Sequence, residues 1–333
     1  MLETKKYTLM KPIKVSSKDV AIVCATKDQP DKVKRLLNSL SLQTSKPGQI
    51  IVCESGDIFP DIIDKYKENF NISYLKSPYV GQVLQRNYAY DHIDNDVTLV
   101  INIDDDITLH QNSLENFIVC WNEENNKAGP CVGGMSFNIV DAEVPKKSIF
   151  RSIFYQGVSM KGTVNISGYA STHFPTLQTL DAEWLIGGAT GWDRSIIEKY
   201  VHPIDFSTRW AVCEDLMFSY PLRKSYRLLV AKNALADHNG NYSAMTVKKG
   251  TFYGLSLVIM RFYFVSMNKD LSKIAFTWMT IGQLVGYMLM GIRGDRRALG
   301  FFLGGIKGLF LCILTLFKKT SSKELAKMVF YRN

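Results

Sequence analysis

Short apolar runs alternate with stretches of helical periodicity along the first hundred residues. VAIVC (residues 20–24), QIIVC (49–53), ISYLK (72–76) and VTLVINI (97–103) read as strands, the last the most apolar. Between them, residues 31–42 carry Val33, Leu36, Leu37 and Leu40 at helical spacing with Pro30 just ahead. Residues 60–69 read as a charged helix and residues 81–90 as another. Strand–helix alternation predicts an α/β layer with parallel strands and helices on both faces, because a parallel connection must cross over the sheet. Ligands bind such sheets beyond the carboxyl ends of the strands. The segments there are Ala25-Thr26-Lys27-Asp28, Glu54-Ser55-Gly56-Asp57, Ser77-Pro78 and Asp104-Asp105-Asp106, and three of these four carry carboxylates.

The pattern then changes twice. Residues 133–239 are less regular and rich in Gly, Ser, Thr and aromatics, which suits a mixed sheet beside an acceptor cleft. Beyond about residue 245 the chain turns aromatic and apolar. Residues 250–267, 274–292 (no charge) and 300–317 (only Lys307) each approach the ~20 residues that span a bilayer. A hairpin of two spans would place the loop RGDRRALG, net +2, across the membrane from a cytoplasmic catalytic unit, against the positive-inside tendency. Helices lying in the membrane plane are the favoured expectation. The chain thus divides into a catalytic unit, residues 1–244, and a helical membrane-associated region, residues 245–333.

Charge sharpens that division. The net charge is +9, but residues 245–333 carry +11 and residues 1–244 carry −2. A basic, apolar tail suits an anionic membrane surface. Nucleic acid is not expected as a partner, since the basic positions are interleaved with apolar runs. The same apolar surface leaves room for a homo-oligomer. Hydrophobic residues make up 46% of the 333, a globular composition. The six cysteines form no CxxC pair and the N-terminus has no apolar signal core, so a reducing cytoplasm is expected.

The chemistry concentrates in two acidic clusters. In IDDDIT (103–108) an apolar strand runs into three adjacent carboxylates, which repel one another unless a cation or a proton relieves them. Mg²⁺ or Mn²⁺ suits oxygen ligands and bridges carboxylates to phosphates. Alternation along an extended segment predicts that Asp104 and Asp106 share a face and Asp105 turns away. In CEDLMFSYPL (213–222), Glu214 and Asp215 open a helix; they suit either its dipole or a general base. Arg86 is a candidate to pair with phosphate or with an Asp, His238 to be a metal or diphosphate ligand, and the Gly187-Gly188-Ala189 turn to allow close backbone approach.

CATKDQPDKVKRLLNSL, IIVCESGD, GQVLQRNYA, INIDDDI, WLIGGATGWDRS and CEDLMFSYPL, in that order between residues 20 and 238, resemble the family 2 glycosyltransferases. The resemblance implies the GT-A fold: a Rossmann-like mixed sheet with helices on both faces, extended here by the apolar, basic helical region seen in many bacterial members. It implies that Thr26 and Glu54 contact the nucleoside, with Glu54 where Asp is commoner, and that Arg86 lies near the base or phosphates. It places Asp104 on the nucleotide and Asp106 on the metal, Gly188 and Ala189 beside the donor sugar, and His238 near metal or diphosphate. Asp215 becomes the base, and Glu214 its helper or substitute. The QxxRW motif of processive members is absent, although Trp210 follows Arg209, so one sugar per encounter is expected. The implied activity is inverting, metal-dependent transfer from a nucleotide-diphosphate sugar to a glycan or lipid-linked acceptor in polysaccharide biosynthesis, at the inner face of the cell membrane. Two rivals are a haloacid-dehalogenase-like phosphatase, whose Asp-x-Asp-x-Thr motif Asp104, Asp106 and Thr108 match, and a non-catalytic membrane-bound nucleotide-sugar-binding or scaffold protein. The phosphatase motif usually follows the first strand, whereas here three strand-like runs precede it.

Overall fold

The computed structural model describes residues 14–57, 59–143, 148–157, 160–206, 212–239, 246–317 and 320–331. The expected strands form as β1 (Val20–Thr26), β2 (Gln49–Glu54), β3 (Ile72–Lys76) and β4 (Leu99–Ile103), paired in parallel in the order β3-β2-β1-β4. Alternation within β1 serves both faces. Val20, Ile22 and Cys24 enter a core with α1 (Pro30–Ser41), while Ala21 and Val23 meet Ala89 of α3 (Gln82–Tyr90). The charged helix expected over residues 60–69 stops as α2 (Pro60–Asp64). Beyond it the backbone closes shorter turns, Tyr66 N–H to Ile63 O and Asn69 N–H to Tyr66 O, as Tyr66 and Phe70 turn into the core.

Past β4 the sheet becomes mixed, as expected for a GT-A-like architecture. The remaining elements of this half are β5 (Ile107–Leu109), α4 (Ser113–Asn125), β6 (Val132–Ile139), α5 (Ile149–Ile153), β7 (Leu180–Ala182), β8 (Ala189–Asp193), α6 (Arg194–Lys199), α7 (Glu214–Leu222) and β9 (Arg227–His238). The order continues β4-β8-β6-β9-β5, with β7 paired to β9. Two registers position the site. Antiparallel Ile103↔Ala189 sets Gly188 beside Asp104, whose amide donates to the Gly188 carbonyl at 2.8 Å. Antiparallel Ile107↔His238 brings the end of β9 against the aspartate turn.

The tail folds as α8 (Val247–Met267), α9 (Lys273–Ile292), α10 (Arg296–Phe317) and α11 (Ser322–Tyr331). Among the described residues, α8, α9 and α10 are long and apolar enough to cross a membrane. They are not equivalent. The apolar window of α8 is 61% buried inside the protein, against 33% for α9 and 28% for α10. One core joins α8, α9 and α11 to α7, through Met217 and Tyr220 on one side and Ile259, Phe264, Phe276 and Ala326 on the other. The helix that starts with Glu214 and Asp215 therefore rests on the tail.

α8 and α10 meet through glycine. A Cβ on Gly304 would overlap the Thr251 carbonyl, and one on Gly254 would meet the Phe301 carbonyl at 2.6 Å. Gly304→Ala should cost about 1–3 kcal/mol from overpacking, read as a lower Tm. Gly286→Ala on α9, where a Cβ meets nothing within 4 Å, should leave Tm level or raise it. An equal fall in both would show that the close packing is not what matters.

Candidate active site

The aspartate turn is not extended, which corrects the expected alternation. β4 ends at Ile103, and the Ile107 amide donates back to the Asp104 carbonyl at 3.1 Å, so the chain reverses across the three carboxylates. Asp104 alone faces α3, accepting from Arg86 Nη2 at 2.7 Å and from Gln82 Nε2. Asp105 and Asp106 share the Lys32 ammonium, at 3.5 and 3.3 Å. Asp105, expected to turn away, also accepts from the Thr26 hydroxyl at 2.6 Å. Asp106 lies 3.4 Å from His238 Nε2, where the β5–β9 register delivers the imidazole.

Burial pushes the Asp104 carboxyl above the ordinary carboxylate range, opposed by Arg86 and reinforced by Asp106. Asp105 rises through burial too, although Thr26 and Lys32 pull it down. Asp106 goes the other way: His238 and Lys32 outweigh its burial. Burial first, and repulsion between the carboxylates second, thus work against ionising Asp104 and Asp105 but not Asp106. Among the described residues no three His, Cys, Asp or Glu side chains converge to hold a metal ion. Asp106 and His238, 3.4 Å apart, are a pair of donors of the kind a divalent cation takes when phosphate oxygens and water complete its shell.

The second acidic cluster joins the first through buried charges. Arg86, 5% exposed, bridges Asp104 and Glu214, reaching Glu214 Oε1 at 3.1 Å. Its guanidinium spans these two carboxylates, with Nε buried and without a hydrogen-bond partner. His202 completes the chain. Its Nδ1 accepts from the Ile204 amide at 3.1 Å, so Nε2 carries the proton and points at Glu214 Oε2, 3.4 Å away. Phe218 stacks parallel to the imidazole at 5.5 Å. Glu214 is buried, yet His202 and Arg86 hold its carboxyl below the usual range. Asp215 is the contrast: burial and then the Glu214 charge push it up to about 7. Its carboxylate accepts the Leu216 amide at 2.8 Å and lines a small cavity of about 40 Å³ with Arg86, Gly187, His202 and Glu214.

Gly187 and Gly188 are required by these side chains. A Cβ on Gly188 would overlap Asp104 Oδ2, and one on Gly187 would overlap Glu214 Oε1. The expected close approach is therefore by carboxylates. Ala189, expected beside the donor sugar, is fully buried in the first core, held there by its place in β8. Thr26 and Glu54 do lie at the strand ends. Glu54 accepts from the Asp28 amide at 3.1 Å and from the Gly56 amide, tying the loops after β1 and β2 into one wall. Gln85 donates from below to the Thr26 and Cys53 carbonyls at 2.7 and 2.9 Å. Lys32, Gln82, Gln85 and His202 were not legible in the sequence; a lone Lys, Gln or His carries no motif, and each is brought in from another element. Arg209 and Trp210 lie outside the described residues.

Residues 20–182 match Glycosyl transferase family 2. The structure is similar to S. aureus TarS 1–349, with a TM-score of 0.50 and 14% identity over 94% of this chain and 91% of that one. It is also similar to the mannosyltransferase PcManGT from Pyrobaculum calidifontis, in complex with GDP-Man and Mn²⁺: TM-score 0.50, 12% identity, 99% of this chain and 90% of that one. Against the longer TarS chain the match covers 83% of this chain but 43% of that one, with a TM-score of 0.45 and 14% identity. No curated protein matches it in sequence. With strand order and aspartate turn in place, residues 20–182 form a glycosyl transferase family 2 region on a GT-A-like fold, and the acidic helix α7 follows beyond the matched residues.

Proposed function

We propose that the protein is an inverting, metal-dependent glycosyltransferase that moves a sugar from a nucleotide-diphosphate sugar, UDP-linked, to a hydroxyl of a glycan or lipid-linked acceptor in cell-surface polysaccharide biosynthesis. The observation that carries this is the pairing, through Arg86, of a turn of three adjacent aspartates with a buried carboxyl whose basicity is raised. Asp106, with Asp104 and His238 beside it, would hold Mg²⁺ or Mn²⁺, which supplies positive charge where the leaving nucleoside diphosphate gains negative charge. PcManGT, of the same fold, was solved with GDP-Man and Mn²⁺. Thr26 and Glu54 form the wall for the nucleoside. Gly188, pinned to Asp104, borders the donor sugar.

Asp215 takes the proton from the acceptor hydroxyl as the oxygen attacks the sugar from the face opposite the diphosphate. Glu214, held ionised by Arg86 and His202, keeps the proton affinity on Asp215. The base lines a cavity walled by α3, α6 and α7. The catalytic unit, residues 1–244, works at the inner face of the membrane with the tail as its peripheral anchor. The outward residues Ile274, Ile292, Phe310 and Phe317 and the +11 charge of residues 245–333 support that reading.

A thermal-shift panel of nucleoside diphosphates tests the donor. A ligand at 100 Kd that binds only the folded state adds about 2.7 kcal/mol. UDP with Mn²⁺ should raise Tm most. A larger rise with GDP would overturn the UDP assignment, and no rise with any of them would overturn the donor reading.

A further inference from the structure

Three arginines of different elements gather where α5, α8, α9 and α10 come together. Arg151 of α5 donates to the Tyr169 hydroxyl and lies over its ring, 5.9 Å from the centroid. Arg261 of α8 donates from Nη1 to Gln283 Oε1 of α9 at 3.1 Å, while its Nε is buried with no hydrogen-bond partner. Arg261, Arg297 of α10 and Arg151 all lie within electrostatic reach of the Tyr287 hydroxyl. Such a concentration of like charge is costly without a counter-ion. Among the described residues the arginines ion-paired to carboxylates are Arg86, Arg194, Arg223 and Arg227, and these three are not among them. Planar guanidiniums with free donors, edged by tyrosine hydroxyls, are the chemistry that grips a phosphate.

The location gives the phosphate a meaning. Arg261 also lies against the Cys213 thiol, and Cys213 caps α7 immediately before Glu214 and Asp215. On its outer side the cluster borders the apolar surface: Ile149 and Ile153 of α5 are 82% and 58% exposed, and α5 is fastened to α9 by Phe154 stacked on Trp278 at 4.8 Å. Arg261 thus links the cluster to the start of α7, and α5 links it to the exposed apolar surface.

We propose that Arg151, Arg261 and Arg297 form a binding site for the phosphate of a membrane-embedded acceptor, with Tyr287 and Gln283 at its edge. This deepens the lipid-linked acceptor of the proposed function and rests on that reading. The phosphate anchors the acceptor at the membrane face, so that the hydroxyl beyond it meets Asp215.

The test uses full-length protein and flotation with phosphatidylcholine vesicles carrying hexadecyl phosphate, hexadecanol or phosphatidylglycerol. Hexadecyl phosphate should bind at least tenfold better than hexadecanol and better than phosphatidylglycerol at equal charge. Arg261→Gln should remove roughly tenfold of that preference, Arg261→Lys should restore part of it, and Arg151→Gln, on a more exposed element, should weaken it without loss of fold. UDP binding with Mn²⁺ should be unchanged in all three. An unchanged preference in both Gln variants overturns the site, and equal binding to phosphatidylglycerol reduces it to diffuse surface charge and overturns it as well. Complete competition by millimolar inorganic phosphate, with nothing gained from the alkyl chain, overturns the lipid source. If UDP binding fails in the wild type while the phosphate preference stands, the donor reading falls and this site does not.

Discussion

Asp215→Asn is expected to fold, to bind the nucleotide as the wild type does, and to lose about 10²–10⁴-fold in sugar transfer, the usual worth of a general base. The pH dependence follows from the same carboxyl. A base must be ionised, so wild-type kcat/KM should rise with pH through about 7 and level off above it. Stability has the opposite sign. The folded protein holds this proton more tightly than the unfolded chain, whose aspartates titrate near ~3.9. The stabilising contribution is therefore complete below that value and is lost as pH climbs through about 7. Asn does not titrate. Thermal melts should show Asp215→Asn gaining on the wild type between pH 4.5 and 7.5, by several degrees at most. Wild-type turnover in the variant, or a pH profile flat from 5 to 8, would remove Asp215 from the role of base.

Arg86→Met should be the most damaging single change to the fold of the site. Glu214 is 6% exposed, and Asp104 and Glu214 both depend on this one guanidinium. Removing one partner of a buried ion pair leaves uncompensated charge and costs about 3–5 kcal/mol. Activity should fall together with stability, since Gly187 and Gly188 pack against the same two carboxylates. Arg86→Lys should recover only part of the loss, because an ammonium is a point charge and cannot span two carboxylates as a planar fork does. Urea denaturation reads the effect; a variant within 1 kcal/mol of wild type would mean that the two acidic clusters are not joined through Arg86.

β1, β2 and β4 were legible because burial on both faces makes them continuous apolar runs, and ISYLK, at the half-buried edge, folds over the expected residues too. The resemblance carried the two acidic clusters, and the sheet registers explain why they meet. What the sequence hid was long-range. Strand alternation failed at Asp104–Asp106 because a turn begins where the apolar run ends. Nothing local to Arg86 reveals its partner 128 residues away at Glu214. The tail read as three apolar runs of one kind, but only packing separates α8, which supports the acidic helix, from α9 and α10, which face outward.

The central claim is that one half of the site, the aspartate turn, holds the donor's diphosphate through a cation, while the other half, at α7, acts on the acceptor. Calorimetric titration of UDP with and without Mn²⁺ into wild type, Asp106→Ala and Asp215→Asn tests it most directly. Binding should need Mn²⁺, should weaken at least tenfold in Asp106→Ala, and should be unchanged in Asp215→Asn. Binding that is indifferent to both Mn²⁺ and Asp106, or that is lost in Asp215→Asn, would contradict it.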